Sequence, residues 1–107
     1  MESADKNGWT PLYTAARYGH VEVVRELLKH GAKLESANNN GWTPLNTAVS
    51  NGDVEVVLEL LKYGAKLECS GKDGWKPLYT AARYGRMEVV QELLKHGAIF
   101  ESEDKGG

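Results

Sequence analysis

Cysteine is almost absent from this chain, since Cys69 is the only one among 107 residues. A single cysteine excludes an internal disulfide framework and fits a reducing compartment. No activating base is evident beside Cys69, so we expect it to be an unreactive loop residue. Residues 1–5 also lack the basic and apolar regions of a secretory signal. These absences together predict a cytoplasmic location.

Long apolar runs and an excess of one charge sign are missing as well. The uninterrupted apolar stretches are only a few residues long, too short to cross a membrane. The net charge is −2, which argues against binding a phosphate backbone, and no block is basic enough for a nucleic-acid footprint. The sequence carries no glycine-rich phosphate loop, nucleophile elbow or zinc signature. We therefore expect neither an enzyme nor a protein that binds cofactors, metals, nucleic acid or membranes.

What the chain does contain is a repeated pentapeptide. Gly-Trp-Thr-Pro-Leu occupies residues 8–12 and 41–45, and Gly-Trp-Lys-Pro-Leu occupies residues 74–78. The interval is 33 residues each time, and a fixed period of this size is typical of stacked-repeat proteins. A single unit cannot bury its apolar face alone, so three stacked units are about the minimum for stability.

The 33-residue period divides one domain, residues 1–107, into repeats. We place the repeats at about residues 5–37, 38–70 and 71–103, with 104–107 as a tail or the start of a fourth hairpin.

Each repeat has the signals of a turn followed by two short helices. Asn7-Gly8 predicts a tight turn at the tip of a β-hairpin-like finger. Thr10 and Pro11 are suited to begin a helix, which we expect to run from Pro11 to Tyr18. The paired glycines of this pattern, such as Gly64 in the second repeat, stand where a helix ends and predict a positive φ.

The second helix of the first repeat is predicted from about Val21 to His30. Its apolar residues fall at i, i+1, i+4 and i+5 and form one broad stripe. These residues are Val23, Val24, Leu27 and Leu28. The charged residues lie mostly off the stripe and should be solvated.

This unit closely resembles the ankyrin repeat. The matching positions are Asp5, Gly8, Thr10-Pro11-Leu12, Ala15-Ala16, Gly19-His20, Val23-Val24, Leu27-Leu28 and Gly31-Ala32. The resemblance covers nearly the whole chain in three copies. It implies an all-α repeat solenoid, in which antiparallel helices are paired and β-hairpin-like loops connect the pairs.

The departures from the family pattern are also informative. The usual histidine after Thr-Pro-Leu is replaced by Tyr13, Asn46 and Tyr79, and we expect both tyrosines to lean inward with structural roles. Lys76 replaces the capping threonine and should weaken that helix start. Glutamate replaces a position that is often apolar in the family, and we expect these side chains to be solvated on an outward face. They are Glu26, Glu59 and Glu92, each with a second glutamate four residues earlier.

The resemblance also implies where a partner would bind. Ankyrin arrays usually contact partners through the finger tips and the exposed side of the first helix. Trp, Tyr and Arg dominate binding hot spots, so such residues at these positions are the best candidates. The candidates are Trp9, Arg17, Tyr18, Trp42, Asn51, Trp75, Arg83 and Tyr84. For the three tryptophans two interpretations stay open: contact with a partner, or packing that ties neighbouring fingers together.

We therefore predict a non-enzymatic protein-interaction module that binds another protein or peptide. A rival hypothesis is self-association, because the terminal repeats do not look like polar caps and Ile99 and Phe100 place apolar residues near one end. We expect the chain to be a fragment of a longer array or an array without capping repeats. The alternative is a complete small protein whose ends are covered by self-association. Regulation of an enzyme elsewhere in a longer chain and binding of a small ligand on the tryptophans also stay open. His20, His30 and His96 are not at metal-ligand spacing, so we expect turn or helix-end roles for them.

Overall fold

The computed structural model describes residues 8–68 and 76–98, and it contains three consecutive helix pairs in these ranges. The first pair is α1 (Pro11–Arg17) and α2 (Val21–Lys29), the second is α3 (Pro44–Asn51) and α4 (Val54–Lys62), and the third is α5 (Pro77–Arg83) and α6 (Met87–Lys95). The first helix of the first repeat ends one residue earlier than predicted, since Tyr18 is the C-cap residue of α1. Several residues named in the predictions lie outside the described ranges: Asn7, Cys69, Trp75, Ile99, Phe100 and residues 104–107.

The three pairs stack so that like helices lie side by side. Helix α3 packs against both α1 and α5, and α4 packs against both α2 and α6. The core lies between these two rows of helices. The part of the chain that the structure describes contains no β-strand. In the same part, none of the helices has the length and apolar character needed to span a membrane.

The helix starts follow the capping residues in the sequence. Thr10 accepts a hydrogen bond at Oγ1 from the backbone N–H of Tyr13 (3.1 Å). Thr43 and Asn46 form a reciprocal capping box: Asn46 N–H donates to Thr43 Oγ1 (3.2 Å), and Thr43 N–H donates to Asn46 Oδ1 (3.1 Å). Asn46 therefore takes over a capping role at the position of the family's histidine. Lys76 caps α5 with no side-chain hydrogen bond, as expected from the loss of threonine.

The second helices end in the same way, and Gly64 illustrates how. The N–H of Gly64 donates to the carbonyl of Leu61 (2.9 Å), and the N–H of Ala65 donates to the carbonyl of Leu60 (3.0 Å). This is the Schellman arrangement, which satisfies carbonyls left over at a helix end. It needs a residue in a left-handed conformation, and Gly64 has φ 98° as the sequence predicts.

Replacing Gly64 by valine should lower the free energy of unfolding by about 1–2 kcal/mol, because a β-branched side chain is strained at positive φ. A β-carbon added at Gly64 would meet no other atom within 4 Å, so the loss would report on backbone conformation alone. Urea denaturation measures the effect, and Gly64→Asn serves as a control because asparagine tolerates positive φ better. An unchanged unfolding midpoint for the valine variant would contradict this helix ending.

The second finger is closed by Asn38. Its backbone N–H donates to the carbonyl of Trp42 (2.9 Å), and its Oδ1 accepts from the N–H groups of Asn40 (2.9 Å) and Trp42 (3.0 Å). In a β-ladder the N–H of Trp42 would donate to the backbone carbonyl of Asn38, and here the side-chain Oδ1 of Asn38 accepts this hydrogen bond instead. The finger is hairpin-like without strands for this reason.

The broad apolar stripe predicted for the second helices divides into two faces. On α2, Val24 and Leu28 are buried, whereas Val23 is 49% exposed and Leu27 is half-buried. The equivalent residues of α4 are all buried: Val56, Val57, Leu60 and Leu61. The division arises because α2 has a neighbour on one side only among the described helices, whereas α4 has one on each side.

Helix α6 shows the opposite pattern to α2. Val89 and Leu93, which correspond to the outward residues of α2, are buried. Val90 is half-buried and Leu94 is 42% exposed. The two members of each apolar doublet therefore point in opposite directions along the stack, one to the preceding pair and one to the following pair.

The same rule overturns our expectation for Tyr79. Tyr13 is 4% exposed, but Tyr79 is 52% exposed, although both occupy the third position of the same heptapeptide helix. Tyr13 points toward the following pair and is covered by it. Tyr79 points toward the outer side of the third pair, so it does not lean into the core.

Glu59 was predicted to be solvated, and this is also wrong. Only 14% of its side-chain surface is exposed, and its Oε2 lies 3.2 Å from Nη2 of Arg25 on the preceding pair. Its Oε1 is buried without a hydrogen-bond partner among the described residues. Glu59 is enclosed because it faces α2, which packs against α4. Arg25 of α2 is the residue that neutralises its charge.

Glu26 and Glu92 show how the same position depends on its neighbours. Glu26 is solvated as expected and contacts Lys29 on its own helix (3.4 Å). Glu92 contacts Lys95 in the same way (3.4 Å), but only 22% of its side chain is exposed, so it is less solvated than predicted.

Candidate protein-contact surface

An aromatic and basic cluster forms where the first finger meets α1. The ring of Trp9 lies 5.1 Å from that of Tyr13 and 6.4 Å from that of Tyr18, measured between centroids. The guanidinium carbon of Arg17 lies 5.3 Å from the centroid of Trp9 and 5.9 Å from that of Tyr18. These distances are typical of tilted aromatic pairs and of cation–π contacts. The first finger and the end of α1 thus bring three of the candidate residues together: Trp9, Arg17 and Tyr18.

The cluster has a buried base and an exposed rim. Tyr13 is buried and Trp9 is half-buried, while Arg17 and Tyr18 are exposed. The sequence left two roles open for Trp9, contact with a partner and packing between fingers, and both stay predictions. In the structure its ring lies against Tyr13 and Arg17 of α1. Tyr18, at 59% exposed, is the most exposed aromatic ring of the cluster.

The second repeat contributes Trp42 and Asn51 at the corresponding positions. Trp42 is half-buried, and its backbone is held by Asn38 in the finger. Asn51 is exposed, and its Nδ2 donates a hydrogen bond to the backbone carbonyl of Arg17. Asn51 therefore fixes the position of α3 relative to the end of α1, a role that the sequence did not indicate.

The third repeat presents Arg83 and Tyr84 at the end of α5. Both are exposed, and they stand at the same register as Arg17 and Tyr18. Helix α3 lies between α1 and α5, so the two Arg-Tyr pairs flank Asn51. Trp75, the remaining candidate, lies outside the described residues. We call the described candidates the finger–helix surface: Trp9, Arg17, Tyr18, Trp42, Asn51, Arg83 and Tyr84.

A shallow groove at the turns between helices joins this surface. Arg17, Tyr18 and Asn51 are among the residues that line it. Three carboxylates line it as well, from Asp53, Glu55 and Glu88. Asp53 also caps α4, accepting a hydrogen bond at Oδ1 from the N–H of Val56 (3.3 Å). The sequence analysis expected Glu55 and Glu88 to be solvated surface residues and did not consider Asp53, although Asp53 has the residue type and position of a helix N-cap.

The histidines have local structural contacts. Nδ1 of His30 and of His96 each lies 2.9 Å from a carbonyl one turn earlier, that of Glu26 and of Glu92. His20 lies beside Tyr18, with 6.4 Å between ring centroids. Among the described residues, no group of His, Cys, Asp and Glu is arranged to hold a metal ion.

These features define a class of protein: a helical-repeat solenoid, built from stacked helix pairs, that presents side chains from its fingers and first helices. The chain belongs to the ankyrin-repeat family. A family model described as ankyrin repeats (3 copies) matches residues 1–70, and one described as ankyrin repeat matches residues 73–101. Ankyrin repeats are protein–protein interaction modules, so the family indicates protein partners and a non-enzymatic role.

One curated protein with similar sequence is the phosphate system positive regulatory protein PHO81 of Saccharomyces cerevisiae. It is 61% identical over 28 residues, which is 26% of this chain and 2% of that protein. The chain thus spans a very small share of that relative's length, and the similarity is about as long as one repeat.

Proposed function

We propose that this chain binds a folded protein or an exposed peptide across the finger–helix surface. The observation that carries the proposal is the exposed pair Arg17 and Tyr18 packed around the half-buried Trp9. Arg, Tyr and Trp are the residue types enriched in binding hot spots, where a partner removes their apolar surface from water. Their clustering where the first finger meets the end of α1 is what a hot spot requires.

The mechanism is rigid display. Helices α1, α3 and α5 lie side by side, and the bond from Asn51 to the carbonyl of Arg17 ties the first two together. Side chains carried on a fixed scaffold lose less conformational entropy on binding than those on mobile loops. The spacing between the two Arg-Tyr pairs would therefore select partners by shape.

The groove beside the surface suggests the chemistry of the partner. Arg17 favours a carboxylate or an aromatic face, because guanidinium groups bind both well. Asp53, Glu55 and Glu88 favour basic side chains. We therefore propose a partner segment that carries charges of both signs around an apolar or aromatic residue.

The test is a set of peptides selected from a random displayed library on the immobilised chain. The double variant Arg17→Ala, Tyr18→Ala should raise the Kd of the selected peptides at least about tenfold, the loss expected for hot-spot truncation. Circular dichroism and thermal unfolding should verify that the variant keeps its helices.

The matched control is Lys29→Ala with Tyr63→Ala. These positions carry a basic and an aromatic residue that are exposed at the ends of α2 and α4, in the row of second helices and outside the finger–helix surface. Binding should be unchanged in this control. Selected peptides that lose affinity with the control variant and keep it with the Arg17 and Tyr18 variant would refute the proposal.

A second candidate function is self-association through the outer repeats. It is favoured by the exposed apolar side chains at the two ends of the stack, Val23 on α2 and Leu94 on α6. Exposed apolar patches often mark contact sites in proteins.

A further inference from the structure

The two ends of the described stack present different apolar faces. The front face belongs to the first pair and comprises Pro11, Thr14, Val23 and Leu27. All four are exposed or half-buried, whereas their equivalents in the second pair, Pro44, Thr47, Val56 and Leu60, are buried. The front face is therefore the side on which a preceding pair would pack.

The rear face belongs to the third pair and comprises Tyr79, Ala82, Val90 and Leu94. These residues are exposed or half-buried, whereas their equivalents in the first pair, Tyr13, Ala16, Val24 and Leu28, are buried. The rear face is therefore the side on which a following pair would pack.

The rear and front faces carry the same residues as the two sides of a junction inside the fold, the one between the first and second pairs. The junction of the first and second pairs buries Tyr13, Ala16, Val24 and Leu28 on one side. The rear face has the same four residue types in the same register. The other side of that junction is Pro44, Thr47, Val56 and Leu60. The front face again has the same four residue types in the same register.

We propose that the rear face of one molecule docks on the front face of a second copy of this chain, in the register of the first-to-second pair junction. The proposal rests on self-association, the second candidate function, and specifies its geometry. Because the eight compared positions carry the same residues as a junction that packs well inside the fold, shape complementarity is expected at these positions without any new fit.

The polar contacts of the internal junction are only partly reproduced. Inside the chain, Arg25 pairs with Glu59 at 3.2 Å. Between copies, Gln91 would take the place of Arg25, and Glu26 that of Glu59. The junction between copies thus lacks the charge pair. It should be weaker than the internal junction and depend on protein concentration.

The geometry also sets the form of the assembly. The front and rear faces differ, so each contact leaves one free face of each kind. Such a heterologous contact gives an open chain of molecules unless rotation closes a ring. Addition should therefore continue past the dimer as concentration rises.

Sedimentation velocity on the 107-residue chain over a roughly hundredfold concentration range is the first measurement. The mass should rise beyond that of a dimer. Val23→Lys blocks the front face, and Leu94→Lys blocks the rear face, since an unpaired ammonium is costly to bury. Each variant alone should stay monomeric, because every contact needs one face of each kind. Each should also stay fully helical, because both positions are exposed. Tyr63→Lys, an exposed position on neither face, is the matched control and should associate like the original chain.

Mixing the two blocked variants distinguishes the proposed register from any different mode of self-association. The Val23→Lys molecule keeps its rear face and the Leu94→Lys molecule keeps its front face, so an equimolar mixture should form a one-to-one dimer and nothing larger. Gln91→Arg should restore the missing pair with Glu26 and lower Kd by about threefold or more, the gain expected of a charge pair at an interface.

Two different results would overturn the proposal. A chain that stays monomeric at every concentration would refute self-association itself, and the faces would then be covered by something other than a second copy. A chain that associates, but whose blocked variants associate equally well or fail to pair when mixed, would refute only the head-to-tail register.

Discussion

Replacing Leu60 by alanine should lower the free energy of unfolding by about 2–5 kcal/mol, the usual cost of truncating a fully buried leucine. Leu60 has no exposed surface, and it lies on α4, which packs against α2 and α6 at once. The cavity would therefore open at the centre of the stack. Urea denaturation followed by circular dichroism measures the change in the unfolding midpoint.

Leu94→Ala provides the matched control for Leu60→Ala. It is the same substitution in a second helix, but Leu94 is 42% exposed. The expected loss is below about 1 kcal/mol, because less apolar surface leaves the core. Equal losses in the two variants would mean that the second and third pairs are not packed as described.

Replacing Arg25 by methionine should destabilise the chain by about 1–3 kcal/mol, because Glu59 would remain enclosed without its cation. Methionine keeps the unbranched apolar stem of arginine, so the loss reports on the charge. Glu59 has one oxygen beside Arg25 and one buried oxygen without a partner among the described residues. The expected loss is at the lower end of the range for buried pairs because Arg25 itself is 43% exposed.

Replacing Glu59 by leucine should change the free energy of unfolding in the opposite direction or leave it unchanged. A well-packed apolar residue often equals or exceeds a buried ion pair, so the change should be neutral or stabilising by up to about 2 kcal/mol. The double variant Arg25→Met, Glu59→Leu completes a cycle whose coupling energy measures the pair. A tolerated Arg25→Met together with a destabilising Glu59→Leu would contradict this account. The experiment is thermal and urea unfolding of the four proteins.

The helices were predictable because the local signals and the repeat period agree. Thr10 and Thr43 cap helices as expected, and Gly64 has the predicted positive φ. The 33-residue period then fixed which helices are equivalent. In the first repeat both helices end one residue earlier than predicted, since Tyr18 and His30 are C-cap residues and a terminal turn can be assigned to either side of the boundary.

Exposure was harder to predict, because in a stack it depends on neighbours rather than on the residue. Tyr13 and Tyr79 lie in identical heptapeptides, yet one is buried and the other exposed. Glu59 likewise has the local sequence of a solvated glutamate. What encloses it is α2, which lies a full repeat away in the sequence.

The candidate surface was predictable as a set of positions but not as a set of contacts. The register of Arg17 and Tyr18 placed them on the exposed side of α1. The stacking of Arg17 on Trp9 and the bond from Asn51 to α1 depend on side-chain conformations that no spacing rule determines. The partner roles of the whole set stay a prediction, and Trp75 lies outside the described residues.

The placement of the second pair has a kinetic consequence. Helices α3 and α4 have packed neighbours on both sides, so they take part in two junctions, whereas each outer pair takes part in one among the described residues. When stability is a sum of nearest-neighbour terms, opening is least costly at the ends. Amide protons in the middle of the chain should thus exchange with solvent last, and the array should fray from the outside inward.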